Sequence, residues 1–335
     1  MRVFVTGSSG FIGFHLARRL LDLGHQVVGF DGMTPYYDVE LKQARLEILR
    51  GNENFTSVTA MLEDQQCLTS SMADSSPDVV VHLAAQAGVR YSLENPHAYI
   101  DSNVVGTYNL VEAAKSLTLK HLLFASTSSV YGGNENLPFQ ETDRTDFPVS
   151  LYAATKRSGE SITHSYSHLF KIPTTCFRFF TVYGPWGRPD MALFKFVDSI
   201  LKDQPIEIYG DGKMRRDFTY IDDLIGAIVL LMERPPKSRT ATTDDVADSV
   251  SPVAPWRVVN IAGGQPIELM DFVSTIERHL GTEAKKVFLP MQKGDVVATS
   301  ADSRLLRSLT NYQPNTTIED GVGLFVDWYR KYKNI

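Results

Sequence analysis

The chain has 335 residues, 43% hydrophobic and 21% charged, with a formal net charge of −6. That is ample apolar material for one large domain or two closely joined ones. An acidic balance with no basic block excludes a protein built around nucleic-acid phosphates, and no apolar run is long enough for a membrane span.

The second residue already opens a strand, Arg2-Val3-Phe4-Val5-Thr6, so no secretory leader is expected. Residues 11–23 follow with helical spacing, and residues 27–30 form a second strand ending at Asp31. Residues 79–83 and 121–125 are further apolar strands, and residues 98–117 carry apolar positions at helical spacing. Strands alternating with helices predict an α/β fold, a Rossmann-type doubly wound parallel sheet. The expected division is a nucleotide domain over residues 1–180 and a smaller mixed α/β substrate domain over 181–335, with some chain crossing back. A Thr/Ser/Asp/Pro-rich stretch at 235–255 is expected to be an exposed loop or linker, and 320–332 a closing helix. Cys67 and Cys176 lack metal-ligand spacing, so reduced thiols, no metal and a cytoplasmic protein are expected.

Gly7-Ser8-Ser9-Gly10-Phe11-Ile12-Gly13 lies between the first strand and the first helix. Glycine permits a tight turn and close backbone approach, and the helix start offers unpaired N–H groups to a pyrophosphate. Gly7, Gly10, Phe11, Ile12 and Gly13 are therefore candidates to hold a dinucleotide. Asp31, at the end of the second strand, suits the adenosine ribose hydroxyls and would repel a 2′-phosphate. No Arg follows it immediately, which favours NAD over NADP; a plain turn residue is the alternative.

Tyr152-Ala-Ala-Thr-Lys156 places a phenol and an ammonium on one helix face. A nearby lysine lowers a phenol's pKa, and a phenolate can take a proton from a sugar hydroxyl as hydride leaves the same carbon. The pair follows Phe124-Ala-Ser-Thr127-Ser128-Ser129, a strand ending in hydroxyl residues. Thr127, Tyr152 and Lys156 are the catalytic candidates.

The order of these motifs resembles, over nearly the whole chain, the extended short-chain dehydrogenase/reductases that act on nucleotide sugars. The resemblance rests on the glycine turn, Asp31, His82-Leu-Ala-Ala-Gln-Ala-Gly-Val-Arg90, Asn103, Thr127, Tyr152, Lys156 and Arg178-Phe-Phe-Thr-Val-Tyr-Gly-Pro185. It implies that Ala84, Ala85, Gln86, Asn103 and Lys156 contact NAD, with backbone at Leu62 serving the adenine. Thr127 would hydrogen-bond the reacting hydroxyl and Tyr152 would be the base.

Family dehydratases carry an Asp-Glu pair after the catalytic Thr, and UDP-glucuronate decarboxylases a Glu two places on. Here those positions are Ser128 and Ser129, so the chain looks like an epimerase. Residues 183–192, 251–255 and 289–296 resemble the subgroup that epimerises UDP-glucuronate at C4. That resemblance implies a UDP-sugar substrate held by Val89, Arg90, Ser128, Ser129, Thr181, Arg188, Tyr209, Arg216, Gln292 and Asp295. Arg216 would serve the diphosphate, and the hydroxyls of Thr127, Ser128, Ser129 and Thr181 the sugar carboxylate. A homodimer through the 98–117 and 152–170 helices is also implied, although those helices could equally be buried within one chain. Two departures from the subgroup stand out: Met61 where Asp commonly meets the adenine, and Gly32 where Asn is usual. Two other readings remain: a 4-epimerase of a neutral or N-acetylated UDP-hexose, and a non-catalytic protein that binds NAD and a UDP-sugar.

Overall fold

The computed structural model describes residues 1–237 and 248–335. Its strands are β1 (Arg2–Thr6), β2 (Gln26–Asp31), β3 (Phe55–Thr59), β4 (Val79–His82), β5 (His121–Thr127), β6 (Thr174–Phe179), β7 (Thr181–Tyr183), β8 (Ile206–Tyr209), β9 (Arg215–Tyr220), β10 (Trp256–Ile261), β11 (Pro266–Glu268) and β12 (Lys286–Leu289). Seven of them form a parallel sheet in the order β10-β6-β5-β4-β1-β2-β3. Strands β4, β5 and β6 are buried along their whole length. Burial on both faces is why they are near-continuous apolar runs rather than alternating ones.

The chain runs outward from β1 to β3, then returns to place β4 on the other side of β1. Such a reversal opens a crevice at the carboxyl ends of the strands, where α/β folds bind nucleotides. The outermost strand, β10, comes from the second half of the sequence, so chain on both sides of residue 180 builds the sheet. Strand β9 pairs with β7 and β11, and β8 pairs with β12. One apolar core runs from β1 and helix Phe11–Asp22 to Phe325 and Tyr329 of the last helix, Ile318–Lys333.

Two segments differ from their expected form. Residues 98–117 are not one helix: Pro96–Tyr99 runs into a wide π turn, Ile100–Val105, and then into helix Gly106–Ala114. Of the 235–255 stretch, residues 238–247 lie outside the described residues. Its last part is packed rather than exposed. The Ser251 amide donates to the Trp256 carbonyl at 2.8 Å, the Ser251 hydroxyl lies 2.8 Å from His164 Nε2, and Ser167 donates to the Pro255 carbonyl at 3.1 Å. Among the described residues, no helix is long and apolar enough to cross a membrane.

Candidate active site

The glycine turn leaves no room for side chains. A Cβ at Gly7, whose φ is +74°, would fall 2.8 Å from the Ala84 amide nitrogen. One at Gly13 would fall 2.0 Å from the Gly7 carbonyl oxygen. The Thr6 hydroxyl ties the turn to the loop after β4, accepting from the Leu83 and Ala84 amides at 3.1 Å each. Helix Phe11–Asp22 begins at Gly10 with no side-chain cap, so its first amides stay open to an anion. The Asp31 carboxylate accepts from Ser9 N at 2.9 Å and Met33 N at 2.8 Å, which fixes its orientation at the cleft wall. A cradle without Cβ atoms, an uncapped helix start and an oriented acid fit the pyrophosphate and ribose of NAD.

All the expected cofactor residues but one line a single cleft: Gly7, Gly10, Phe11, Ile12, Gly13, Asp31, Leu62, Ala84, Ala85, Gln86 and Lys156. The exception is Asn103, expected to touch the cofactor. It is buried and outside the cleft lining, and both ends of its amide are bonded to protein. Its Oδ1 accepts from the Gln86 amide at 2.8 Å, and its Nδ2 donates to the Gln86 carbonyl and the Thr155 hydroxyl at 3.0 Å each. The π turn carries it inward to these partners. Leu62 likewise turns its side chain into the core, and its carbonyl accepts from Asn109 Nδ2 at 3.0 Å.

Sequence reasoning missed the cations beside Asp31. Lys42 lines the cleft and donates to the Thr34 carbonyl at 2.7 Å. Arg45 is fully buried and bridges distant chain segments. It donates to the Ser9 carbonyl at 3.0 Å, the Tyr37 hydroxyl at 2.8 Å and the Trp186 carbonyl at 2.6 Å. The two cations sit one helical turn apart on helix Val39–Arg50 and so share a face. That spacing was the one available signal.

Thr127, Tyr152 and Lys156 face the cleft together. Thr127 ends β5, accepts from the Ser129 amide at 3.2 Å and donates to the Ser129 hydroxyl at 3.2 Å. Tyr152 opens helix Leu151–Phe170, which Ser150 caps by accepting from Ala153 N at 3.1 Å. The ring of Tyr99 packs edge-on against Tyr152 at 6.0 Å. Burial raises the Tyr152 pKa, with the Thr127 hydroxyl and the Arg188 charge acting downward. The Lys156 ammonium lies over the Phe124 ring, 4.8 Å from its centroid. Burial pushes its pKa down to about 8, against the Glu160 carboxylate. His82 is a core residue, with Nδ1 2.7 Å from the Thr6 hydroxyl and a pKa lowered by burial to about 3.

The expected substrate residues fall into three groups. Arg188 lines the main cleft, its Nε donating to Asp190 at 3.0 Å, and Tyr36 donates to the same carboxylate at 3.0 Å. Thr181 lines a small adjoining apolar cavity that shares Phe11, Val182, Arg188 and Met191 with the cleft. Ser128 and Ser129 form the turn after Thr127. Val89, Arg90, Tyr209, Arg216, Gln292 and Asp295 are expected residues outside the cleft lining, and they gather into a separate polar cluster. Arg90 donates to Asp295 at 3.3 Å and lies 4.6 Å over the Tyr209 ring, the Tyr209 hydroxyl donates to Glu207 at 2.6 Å, and the Asp295 amide donates to the Gln292 carbonyl at 3.2 Å. Burial lowers the Arg216 pKa while the Asp295 charge raises it. A Cβ at Gly294 would fall 3.0 Å from Val89 and 4.0 Å from the Ser150 Cβ, which sets this cluster against the start of the Tyr152 helix.

The sequence profile of the NAD dependent epimerase/dehydratase family matches residues 3–244. The chain is 58% identical to the probable UDP-glucuronate 4-epimerase of Rhizobium meliloti (strain 1021), over 98% of this chain and 97% of that one. It is 44% identical to UDP-glucuronate 4-epimerase 1 of Arabidopsis thaliana, over 98% of this chain and 77% of the plant protein. Its fold matches the crystal structure of UDP-glucuronic acid 4-epimerase from Bacillus cereus in complex with UDP-glucuronic acid and NAD. There the TM-score is 0.88 at 34% identity, covering 99% of this chain and 100% of that one. On this agreement of profile, sequence and fold, the chain belongs to the NAD dependent epimerase/dehydratase family.

Proposed function

We propose that this protein is a UDP-glucuronate 4-epimerase that interconverts UDP-glucuronate and UDP-galacturonate. The observation that carries the reading is the meeting of Thr127, Tyr152 and Lys156 in the cleft that the glycine turn and Asp31 close at its other end. The sugar nucleotide enters from the side of the Arg90–Asp295 cluster, and the diphosphate lies near Arg216. Tyr152 takes the proton of the C4 hydroxyl, with Thr127 holding that oxygen through a hydrogen bond. NAD held by the glycine turn and Asp31 would supply the acceptor for the C4 hydride and its source on return to the opposite face of the 4-keto sugar. Lys156, cationic below about pH 8, adds positive charge to the cleft wall.

The 4-keto form of a hexuronic acid is a β-keto acid, and it loses CO2 when the carboxyl bond stands perpendicular to the ketone plane. Ser128, Ser129 and Thr181 hold the carboxylate out of that alignment. The protein acts as a cytoplasmic homodimer. Support for the dimer comes from exposed Ile100, Val105 and Tyr108 on the segment ending in helix Gly106–Ala114, and from Leu169 and Phe170 at the end of the Tyr152 helix.

The test is incubation of the purified protein with UDP-glucuronate, with and without added NAD, followed by chromatography. UDP-galacturonate should accumulate to a fixed ratio with no net NADH. Conversion of UDP-glucose or UDP-N-acetylglucosamine alone would overturn the substrate assignment, and no turnover of any of them would leave a binding protein.

A further inference from the structure

Gly32 and Met61 sit at the tips of neighbouring parallel strands. Asp31 pairs with Thr59 in the β2–β3 register, and the Ala60 amide donates to the Asp31 carbonyl at 3.2 Å. The two chains therefore run side by side just past the sheet, where both Gly32 and Met61 line the cleft. With the ribose hydroxyls on Asp31, the family resemblance puts the purine at the position of Met61, where an Asp commonly meets the adenine.

A Cβ on Gly32 would fall 2.4 Å from the Met61 sulfur, whereas the nearest backbone atom, the Ala60 carbonyl oxygen, is 3.6 Å away. The thioether thus lies across the bare Cα of Gly32. The backbone at Gly32 is not in the left-handed region that favours glycine. What glycine supplies here is room for the methionine. Leu62 lines the cleft too, but the side chains that follow Met61 in the loop have partners within the protein. Leu62 packs on Gly106, where a Cβ would meet it at 2.6 Å. Asp64 caps helix Gln65–Ser75 by accepting from Cys67 N at 2.9 Å, and Glu63 accepts from the Ser102 hydroxyl at 3.2 Å.

We infer that Gly32 and Met61 together form the adenine seat, in which a thioether lying in the space left by glycine presents an apolar, polarisable face to the purine. Adenine is then held by dispersion and sulfur–aromatic contact, with no acceptor dedicated to its 6-amino group. The two residues are one device, since any side chain at position 32 must displace the thioether.

The measurement is calorimetric titration of NAD-free protein with NAD and with nicotinamide hypoxanthine dinucleotide, in which an oxo group replaces the 6-amino group. The unaltered chain should bind the two within about threefold, and Met61→Asp should favour NAD by about tenfold or more, the worth of one good polar contact. Gly32→Asn should weaken NAD binding by about three- to tenfold beside Met61, and by less than about twofold beside Met61→Ala. A preference of about tenfold for NAD in the unaltered chain would overturn the seat, because it requires an acceptor for the amino group. Equal losses from Gly32→Asn in both backgrounds would overturn the pairing.

Discussion

Lys156 is held in the folded protein at a cost. Its folded pKa of about 8 lies below the ordinary 10.5 because burial disfavours the ammonium. Between those values the unfolded chain holds a proton that the folded chain lacks, so stability rises with pH across that window. Below about pH 8 the penalty is fully present, and above 10.5 it is gone. Lys156→Met should therefore raise the melting temperature of the ligand-free protein at about pH 7, and the gain should shrink between about pH 8 and about pH 10 in a thermal scan. Ser128 and Thr181 give a prediction about selectivity instead. Ser128→Ala or Thr181→Ala should raise the share of UDP-pentose among the products of UDP-glucuronate, and unchanged product ratios in both would remove the carboxylate role. At this scale the sequence was informative wherever the chemistry is local. The spacing of Gly7, Gly10 and Gly13, and of Tyr152 and Lys156, leads directly to groups that line one cleft. Arg45 was not legible, because its meaning lies in the carbonyls of Ser9 and Trp186, which only the folded chain brings to it.

The π turn Ile100–Val105 shows what a motif omits. Helical periodicity over residues 98–117 gave no sign of the extra residue in the turn, yet that turn carries Asn103 inward. The resemblance supplied the residue but not its neighbours, and those neighbours make it a strut between the loop after β4 and the Tyr152 helix. Removing its amide leaves the Gln86 backbone N–H and C=O buried without partners. Asn103→Ala should cost about 2–3 kcal/mol of stability, read as a lower midpoint in urea unfolding, and should slow turnover through misplacement of Tyr152. A variant as stable as the parent would show that the loop and the helix are joined by other contacts.

The parallel sheet was legible as a whole because buried strands are recognisable as apolar runs; some chain was expected to cross back, but not that β10 would be the strand to do it, since nothing within a strand states which neighbour it will pair with. Association is a property of the same scale. Tyr108→Glu, on an exposed apolar stripe, should convert the proposed dimer to a monomer in sedimentation velocity, and a parent protein that sediments as a monomer would withdraw the interface altogether. Finally, the buried guanidinium of Arg45 clasps the Ser9 carbonyl in the glycine turn with one nitrogen and the Trp186 carbonyl, close before Arg188 in the chain, with another. The walls that receive the two ligands are thereby fastened to each other. Should NAD at one wall shift the affinity for a sugar nucleotide at the other, thermodynamic reciprocity requires the exchange to be even: the sugar nucleotide then shifts the affinity for NAD by the same factor.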